Sequence, residues 1–593
     1  MYNKFLIYLF LFVGNVCAMA QTFPYIRDWG TYYGNSNTLF RDAVVDSAGN
    51  MYVLSNISEN SSNDNGNYTT PNAHQTIYGG GIRDLFITKF TSSGILLWAT
   101  YYGGEGDEYP SNIVLKNDDT IFIVGSTNST TNIATSAGFQ TTMVENNGID
   151  VNESAGFIAK FSSDGELLYS TYYDGEREDY ISSIVVSDSN FYIYGQTNSS
   201  SYISTPNSFQ PTFIGTSEQP YLFIAKFTDA GERLWSTYYG AEISDDAEIF
   251  NLLEIGTMDI DENENIYFAG TVTDDTGYYA SSNDVSQPQN NGNLDTFISK
   301  FDTNGNRIWS TYYGGTSVDV AMRLAVNNNI YLSGYTYSDN ISIGNVHQTQ
   351  RMGASDDFLL KMDLDGQPIW ATYFGGIGSA GGRSYVTFGE GDSVWLTGLT
   401  YSMDGIATAG AFQTSLNLGV STQYKDAYFA RFNNSGQLDF ASYYGGEKNE
   451  ISDAKTIPFG NDYFYIVGSS SSLNGIATQG ALQETVISDN FDGSFETLFV
   501  GKFKPKDDLG VNSFNTNTLT LWPNPSAGVI TLTSTKDTYF NLKCYDVHGR
   551  LVKRKPHLRT NTPINLHYLS SGIYFLEITS KSNSKQMFKV VFE

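Results

Sequence analysis

The chain has 593 residues, enough for several domains or for one long repeat array. Hydrophobic residues make up 40% and charged residues 16%, with 57 Gly, 42 Tyr and 38 Phe, which excludes a disordered chain and favours short strands joined by tight turns. Lys plus Arg number 33 against 63 Asp plus Glu, a formal charge of −30; the sign excludes nucleic acid as a partner and gives no attraction to an anionic membrane surface.

Lys4 precedes the apolar run Phe5 to Val13, and Ala18 and Ala20 put small residues at the −3 and −1 positions of a cut before Gln21. The pattern predicts a signal peptide over residues 1–20, removed between Ala20 and Gln21. The run falls short of the roughly 18 apolar residues that cross a bilayer, and no later stretch approaches that length, so the mature chain is expected to have no transmembrane segment. Of the two cysteines, Cys17 leaves with the signal. Cys544 lies in the strand-like Phe540–Tyr545, where a buried, inert thiol is expected and no intrachain disulfide can form.

One phrase then recurs seven times. Trp29-Gly-Thr-Tyr-Tyr-Gly34 has counterparts beginning at Trp98, Tyr169, Trp235, Trp309, Trp370 and Phe440, and spacings of this size mark a repeat array. A second phrase ends on glycine, as in Ile121–Gly125, Phe191–Gly195, Ile266–Gly270, Ile330–Gly334, Val394–Gly398 and Phe464–Gly468, with Met51–Leu54 as the first copy. A third, such as Phe86-Ile-Thr-Lys-Phe90, carries a basic residue in every copy: Lys89, Lys160, Lys226, Lys300, Lys361, Arg431 and Lys502. Turns ending in Gly94, Gly165, Gly231, Gly305, Gly366 and Gly436 join it to the next tyrosine pair, and glycine supplies the positive φ that tight hairpins need.

With a further strand before the second phrase, such as Ile113–Leu115, each repeat supplies four antiparallel strands. The chain opens on a fourth-strand phrase and leaves the last repeat at Lys504-Pro505 without a turn. A ring profits from that permutation, because the first strand completes the last blade and covers its edge. The predicted fold class is therefore all-β: a seven-bladed β-propeller over residues 21–505, closed by its N-terminal strand. These phrases resemble the bacterial secreted seven-bladed propeller (SBBP) repeat family, a resemblance that implies the fold and leaves the function to be argued from a site.

Residues 506–518 are polar and repeat-free and read as a linker. From 519 to 593 a different pattern follows: Leu521-Trp-Pro523-Asn524-Pro525, then Tyr545 to Val552 around Gly549, then Leu569 to Leu576 around Gly572 and Tyr574, and a last strand at Phe588–Val591. These blocks resemble the C-terminal sorting domain of type IX secretion in Bacteroidetes. The resemblance implies a small immunoglobulin-like β-sandwich, the type IX secretion machinery as a partner, and a secreted or outer-membrane-surface location reached through the periplasm. Ten basic and four acidic residues lie from 519 onward, so the acidity belongs to the repeats.

The propeller segment holds two histidines, His74 and His347, both at a repeat position occupied elsewhere by Phe139, Phe209, Phe412 or Leu482. Packing is the expected role, and no histidine-based triad or metal site is expected. The seven repeated cations read as structural groups pairing with acids, the candidates being Glu108, Asp179, Asp245, Asp319 and Glu450 after the Gly-Gly turns. The same five acids are the alternative metal set, since carboxylate rings suit a divalent cation such as calcium; otherwise no cofactor and no catalytic residue is assigned. The functional expectation is a non-enzymatic binding or adhesion module for a polysaccharide or protein. The alternatives are a polysaccharide hydrolase or lyase on the same scaffold and a structural surface-layer component.

Overall fold

The structure, a computed structural model, describes residues 23–58, 68–144, 154–214, 220–241, 257–273, 277–282, 284–417, 424–450, 453–460, 462–486, 496–506, 520–533, 539–547, 550–580 and 585–593. The chain divides into two compact units between Lys506 and Asp507. The signal cleavage pair Ala20 and Gln21, Asp245, Gly549 and the segment 507–518 lie outside the described residues.

Among the described residues unit 1 contains seven four-stranded antiparallel sheets, here numbered 1 to 7. Sheet 1 runs Thr38–Val45, Met51–Ile57, Asp84–Phe90 and Leu96–Tyr102, and five of the following sheets repeat that order along the chain. Sheet 7 differs: Ala454–Phe459, Tyr463–Ser470 and Thr497–Pro505 are joined by Tyr25–Tyr33 as the fourth strand. Tyr25 stands opposite Pro505 and Tyr33 opposite Leu498, so the strand that begins the repeat region pairs with the one that ends it.

The second strand of sheet 1 is buried along its whole length, as are its counterparts Ile121–Thr127, Ile266–Val272 and Val394–Thr400. Both of its faces therefore meet protein, which explains the run of Ile, Val, Phe and Tyr there in place of strict polar alternation. Among the described residues buried apolar clusters lie between sheets 1 and 2, 2 and 3, 3 and 4, 4 and 5, 5 and 6, and 6 and 7, and between 7 and 1, with a second small one of Leu294, Val320 and Met322 between 4 and 5. The cluster between 7 and 1 gathers Tyr33, Tyr465, Val467, Leu498 and Val500 of sheet 7 with Phe40, Val53 and Phe86 of sheet 1. The arrangement is all-β and propeller-like.

The paired tyrosines divide their work. The first hydroxyl of a pair donates to a carbonyl of its own sheet, Tyr172 to Ser129 at 2.8 Å and Tyr238 to Ser199 at 2.9 Å. The second reaches the following sheet, Tyr102 to Ile133 and Tyr173 to Ile203, both at 2.8 Å. A buried phenol favours a hydrogen-bond partner, and these two destinations serve the doublet in most sheets; position 374 is Phe, and the Tyr444 hydroxyl has no hydrogen-bond partner among the described residues.

Unit 2 packs a three-stranded sheet (Thr520–Trp522, Val529–Thr533, Pro563–Asn565) and a four-stranded sheet (Leu551–Arg559, Tyr539–Tyr545, Gly572–Ser580, Lys585–Phe592) around one core of Ile530, Leu532, Leu542, Leu576 and Val590. Cys544 is fully buried in that core with a free thiol, which burial pushes up to about 11. No helix among the described residues is long and apolar enough to cross a membrane.

Candidate functional site

The repeated cations stand at the end of the third strand and face the aromatic opposite them on the second. Lys89 lies 4.5 Å from the Tyr52 ring centroid, Lys160 4.9 Å from Phe122 and Lys300 5.0 Å from Tyr267. Each then reaches the hairpin turn of the following sheet: Lys89 donates to the Ser163 carbonyl at 3.0 Å, Lys300 to that of Leu364 at 3.1 Å, and Lys226 and Lys361 meet Thr303 and Asn434. The tryptophan of the recurrent phrase donates to the same turns, Trp98 to Ser163 at 3.0 Å and Trp309 to Leu364 at 3.2 Å. Lys502 and Trp29 of sheet 7 do this to Ser92 in the turn of sheet 1, at 2.7 and 3.2 Å.

Sheet 6 is the exception, because sheet 7 has no turn between its third strand and Tyr25–Tyr33. There the cation is Arg431, long enough to reach the Tyr25 hydroxyl at 3.3 Å. Some cations also meet an acid, as Lys160 meets Asp229 at 2.9 Å. The expected partners are a different matter: among the described residues no ion pair joins a repeated cation to Glu108, Asp179, Asp319 or Glu450. Glu108, Asp179 and Asp319 begin the first strand and Glu450 precedes it, at the opposite end of the sheet.

Each of those acids is instead a member of a buried carboxyl pair spanning two sheets. Asp84 of sheet 1 faces Glu108 of sheet 2, Asp295 of sheet 4 faces Asp319 of sheet 5, and Asp426 of sheet 6 faces Glu450 of sheet 7; five of these side chains are fully buried and Glu450 nearly so. Glu108 accepts hydrogen bonds from the hydroxyls of Thr127 and Ser129, both at 2.6 Å, and from the Gly104 N–H at 3.2 Å. Burial raises it to about 8 and Asp84 to about 7, while Asp295 and Asp426 rise to about 6 and Asp319 and Glu450 also rise, burial again leading. Two carboxyls in such a place resist ionising together.

Sheet 2 has Ala155 where sheet 1 has Asp84, yet its junction keeps a pair. Asp174 stands in the glycine position of the tyrosine phrase and lies beside Asp179, raising it in addition to burial. Asp174 also accepts the Val144 N–H at 2.7 Å, as Asp84 accepts that of Gly79 at 2.6 Å. Among the described residues such pairs occur at four of the seven junctions; sheet 6 has Ala380, and sheet 1 has Thr38, where the others have the acid. Among the described residues no group of three or more His, Cys, Asp or Glu side chains gathers as a metal site. His74 lies 5.7 Å from Phe161, and His347 6.1 Å from Phe432, in the ring positions of Phe139 and Phe412.

The side chains that break the repeat lie elsewhere, in a cavity of about 320 Å³ lined from the first strands of sheets 1, 2, 3, 5 and 6 and the start of sheet 7. Five first strands carry a β-bulge at this level, between Phe40 and Asp42, Pro110 and Asn112, Ile181 and Ser183, Ala321 and Arg323, and Ala380 and Ser384. A bulge turns one side chain out of the alternation. In sheets 1 and 6 the bulge supplies Arg41 and Arg383, and Arg323 follows the bulge of sheet 5; the equivalent bulge residues of sheets 2 and 3 are Ser111 and Ser182.

Arg383 pairs with Asp453 at 2.8 Å. Arg323 donates to the Tyr385 hydroxyl at 3.0 Å and stacks on that ring 4.4 Å from its centroid. Arg41 donates to Asn56 at 2.6 Å; burial, then Arg383 and Arg83 nearby, pull it below the usual guanidinium range against the opposing pull of Asp453. Among the described residues that line the cavity are three guanidiniums and the Asp453 carboxylate, and Asp42 and Glu496 also act on Arg323 and Arg383 respectively. Tyr109, Tyr180, Asn128 and Ser154 complete its polar side.

In unit 2 the Asn524 side chain binds the last strand in both directions, donating to the Lys589 carbonyl at 2.7 Å and accepting from the Val591 N–H at 2.8 Å. Pro523 and Pro525 flank it in cis peptide bonds. Tyr574 donates to the Ser570 carbonyl at 3.1 Å and packs on Phe592, and Gly572 opens its strand with φ 155°. The conspicuous Pro-Asn-Pro phrase thereby fixes the edge of the terminal strand.

Residues 520–593 match the secretion system C-terminal sorting domain family. No curated protein matches the chain. Solved structures similar to it include the phage phi92 endosialidase, 10% identical over 95% of this chain and 87% of that one, with a TM-score of 0.34. Others are the GH93 alpha-L-arabinofuranosidase of Fusarium graminearum with arabinobiose (8%, 82% and 98%, 0.31) and the exotype rhamnogalacturonan lyase YesX (12%, 79% and 72%, 0.30).

Proposed function

We propose that the protein, exported to the cell surface or beyond through its C-terminal type IX sorting domain, is a binding module there: residues 21–505 form a closed seven-bladed β-propeller, delivered after loss of residues 1–20, whose axial cavity receives a polysaccharide or protein ligand. The observation that carries this reading is the broken symmetry of that cavity. Seven near-identical repeats would line an axis with seven near-identical side chains, whereas this one has arginine from three blades, serines from one, a tyrosine from another and an aspartate from another. Selection for the ring alone has no use for such differences, and ligand recognition on a rigid scaffold does.

The test is incubation of the full chain with a panel of acidic and neutral polysaccharides, recording both retention on the polymer and the appearance of new chain ends. Retention without new ends is expected. New chain ends that disappear on changing cavity residues would turn the reading into a hydrolase or lyase. Self-association with no retention on any polymer would turn it into a surface-layer component.

A further inference from the structure

Among the described residues, six of the seven junctions solve one problem in one way. The cation of the third strand donates to the next sheet's turn at the residue two places before its glycine: Ser163, Asp229, Thr303, Leu364, Asn434 and, from sheet 7 to sheet 1, Ser92. The acceptor is a backbone carbonyl or the oxygen of a short polar side chain. At five of the six a tryptophan N–H from the fourth strand donates to the carbonyl of the same residue. Each junction is thus a socket of one cation and its neighbouring rings, filled by the tip of a glycine turn.

The socket between sheets 6 and 7 receives no such turn, because the fourth strand of sheet 7 comes from the other end of the repeats. Phe440 stands at the tryptophan position with no N–H to offer, and Phe23 and Tyr25 cover it, each 5.4 Å from its ring centroid. That half of the socket is closed. Beside Arg431 a cavity of about 320 Å³ remains, walled by Trp395, Phe459 and Tyr463, with the exposed carboxylate of Asp462 at its side. Trp395 stands opposite Arg431 in the sheet as Tyr52 stands opposite Lys89. Arginine carries five N–H donors. The Tyr25 hydroxyl accepts from one at 3.3 Å, Asp439 and Asp462 stand off at 3.6 and 4.0 Å, and the buried Nε has no hydrogen-bond partner among the described residues. A buried donor left without an acceptor is costly, and at the six other junctions an oxygen on a turn fills this place.

We propose that this pocket docks a tight turn of a partner polypeptide, with a short polar residue two places before a glycine, whose oxygen accepts from Arg431 and whose tip lies against Trp395 and Tyr463. The chain itself supplies the precedent, six turns seated in six sockets of the same build, and the partner offers the seventh. The space is at the small end of ligand sites, the size of a turn tip rather than of a folded element. It shares no lining residue with the axial cavity, so it stands or falls apart from the reading of that cavity.

Fluorescence polarisation of the full chain with a labelled cyclic peptide copying the sheet 4 turn, residues 302–306, tests it. The control is the same ring carrying Gly305→Val, since valine resists the positive φ of the turn, and glucose and galactose serve as competitors of another class. The native ring is expected to bind at least tenfold more tightly than the valine ring and to resist displacement by either sugar. Arg431→Gln in the protein is expected to weaken it tenfold or more. A photoreactive group on the peptide is expected to label residues 460–463. Thermal midpoints show whether each variant is folded, and Tyr463→Ala, on the facing wall, is the second variant if Arg431→Gln is not. Absence of saturable binding overturns the proposal. So do equal binding of the two rings, displacement by a sugar, labelling confined to other parts of the chain, and folded variants that bind as the native chain does.

Discussion

Replacing Glu108 by glutamine is expected to stabilise the protein above neutrality, the reverse of the usual result of removing a hydrogen-bonded buried acid. Asp84 and Glu108 have no exposed surface. Burial raises them from 3.8 to about 7 and from 4.5 to about 8; Asp107 adds to the rise of Asp84, while the N–H groups of Gly79, Gly80 and Gly104 and the hydroxyls of Thr127 and Ser129 oppose it. The folded chain therefore keeps a proton that the unfolded chain has released. The pair's contribution is complete below the unfolded values near pH 4 and is lost as pH rises through 7 to 8. One extra proton held across about three pH units, at 1.36 kcal/mol per unit, comes to about 4 kcal/mol. A glutamine amide donates to Asp84 at every pH and still offers an oxygen to Thr127 and Ser129. Thermal unfolding followed by circular dichroism from pH 5 to 9 reads the effect. The native midpoint should fall with rising pH, and the Glu108→Gln curve should fall less, meeting it near pH 5 and standing several degrees above it at pH 9. A native midpoint that is flat or rises from pH 5 to 8, or a variant less stable throughout, would refute proton sharing.

Proton sharing and cation binding are alternatives for the same pairs, so calcium or a chelator at pH 7 is expected to move the thermal midpoint by no more than about one degree; a rise of several degrees with calcium would assign the pairs to a metal. Gly305→Ala is expected to cost more than about 1 kcal/mol in chemical denaturation, because φ there is +82° and the new methyl would come within 3.0 Å of Trp235. Arg431→Lys is expected to cost about 1 kcal/mol by losing the Tyr25 hydroxyl, while Lys361→Arg costs less; equal effects would remove the special place of the sixth junction. Cys544 should resist thiol reagents until denaturant is added, and reaction in the native state would contradict its burial.

The repeat phrases carried the fold openly, because the residues that build the sheets recur in register: the buried second strand, the turn glycines with φ from 76° to 86° at all six positions, and the tyrosine doublet. Partnerships across junctions were less legible. The cation of the third phrase and the post-turn acid both recur and have opposite charge, so pairing them is the natural reading. Strand direction separates them, and the cation's partner, a backbone carbonyl of the next turn, leaves no trace in side-chain identity. Exchange of Asp84 and Gly103 for Ala155 and Asp174 hides one pair further by moving its acid to another strand. The cavity was missed for a stronger reason. Its residues come from the first strand, the least patterned of the four, and a bulge shifts them out of the alternation on which strand reading depends. The available signal was arginine at positions 41, 323 and 383, just before the second phrase, in a chain so poor in basic residues.

The pairing of Tyr25–Tyr33 with Thr497–Pro505 has a consequence for synthesis. The segment made first is needed last, since its partner emerges more than 460 residues later. Until then its apolar face and one edge of sheet 1's core have nothing to rest on, and a nascent chain in that state is open to wrong pairing with strands already finished. Because Tyr25 also occupies the place of a turn for Arg431, a wrong strand there would satisfy the backbone and leave the arginine without its hydroxyl.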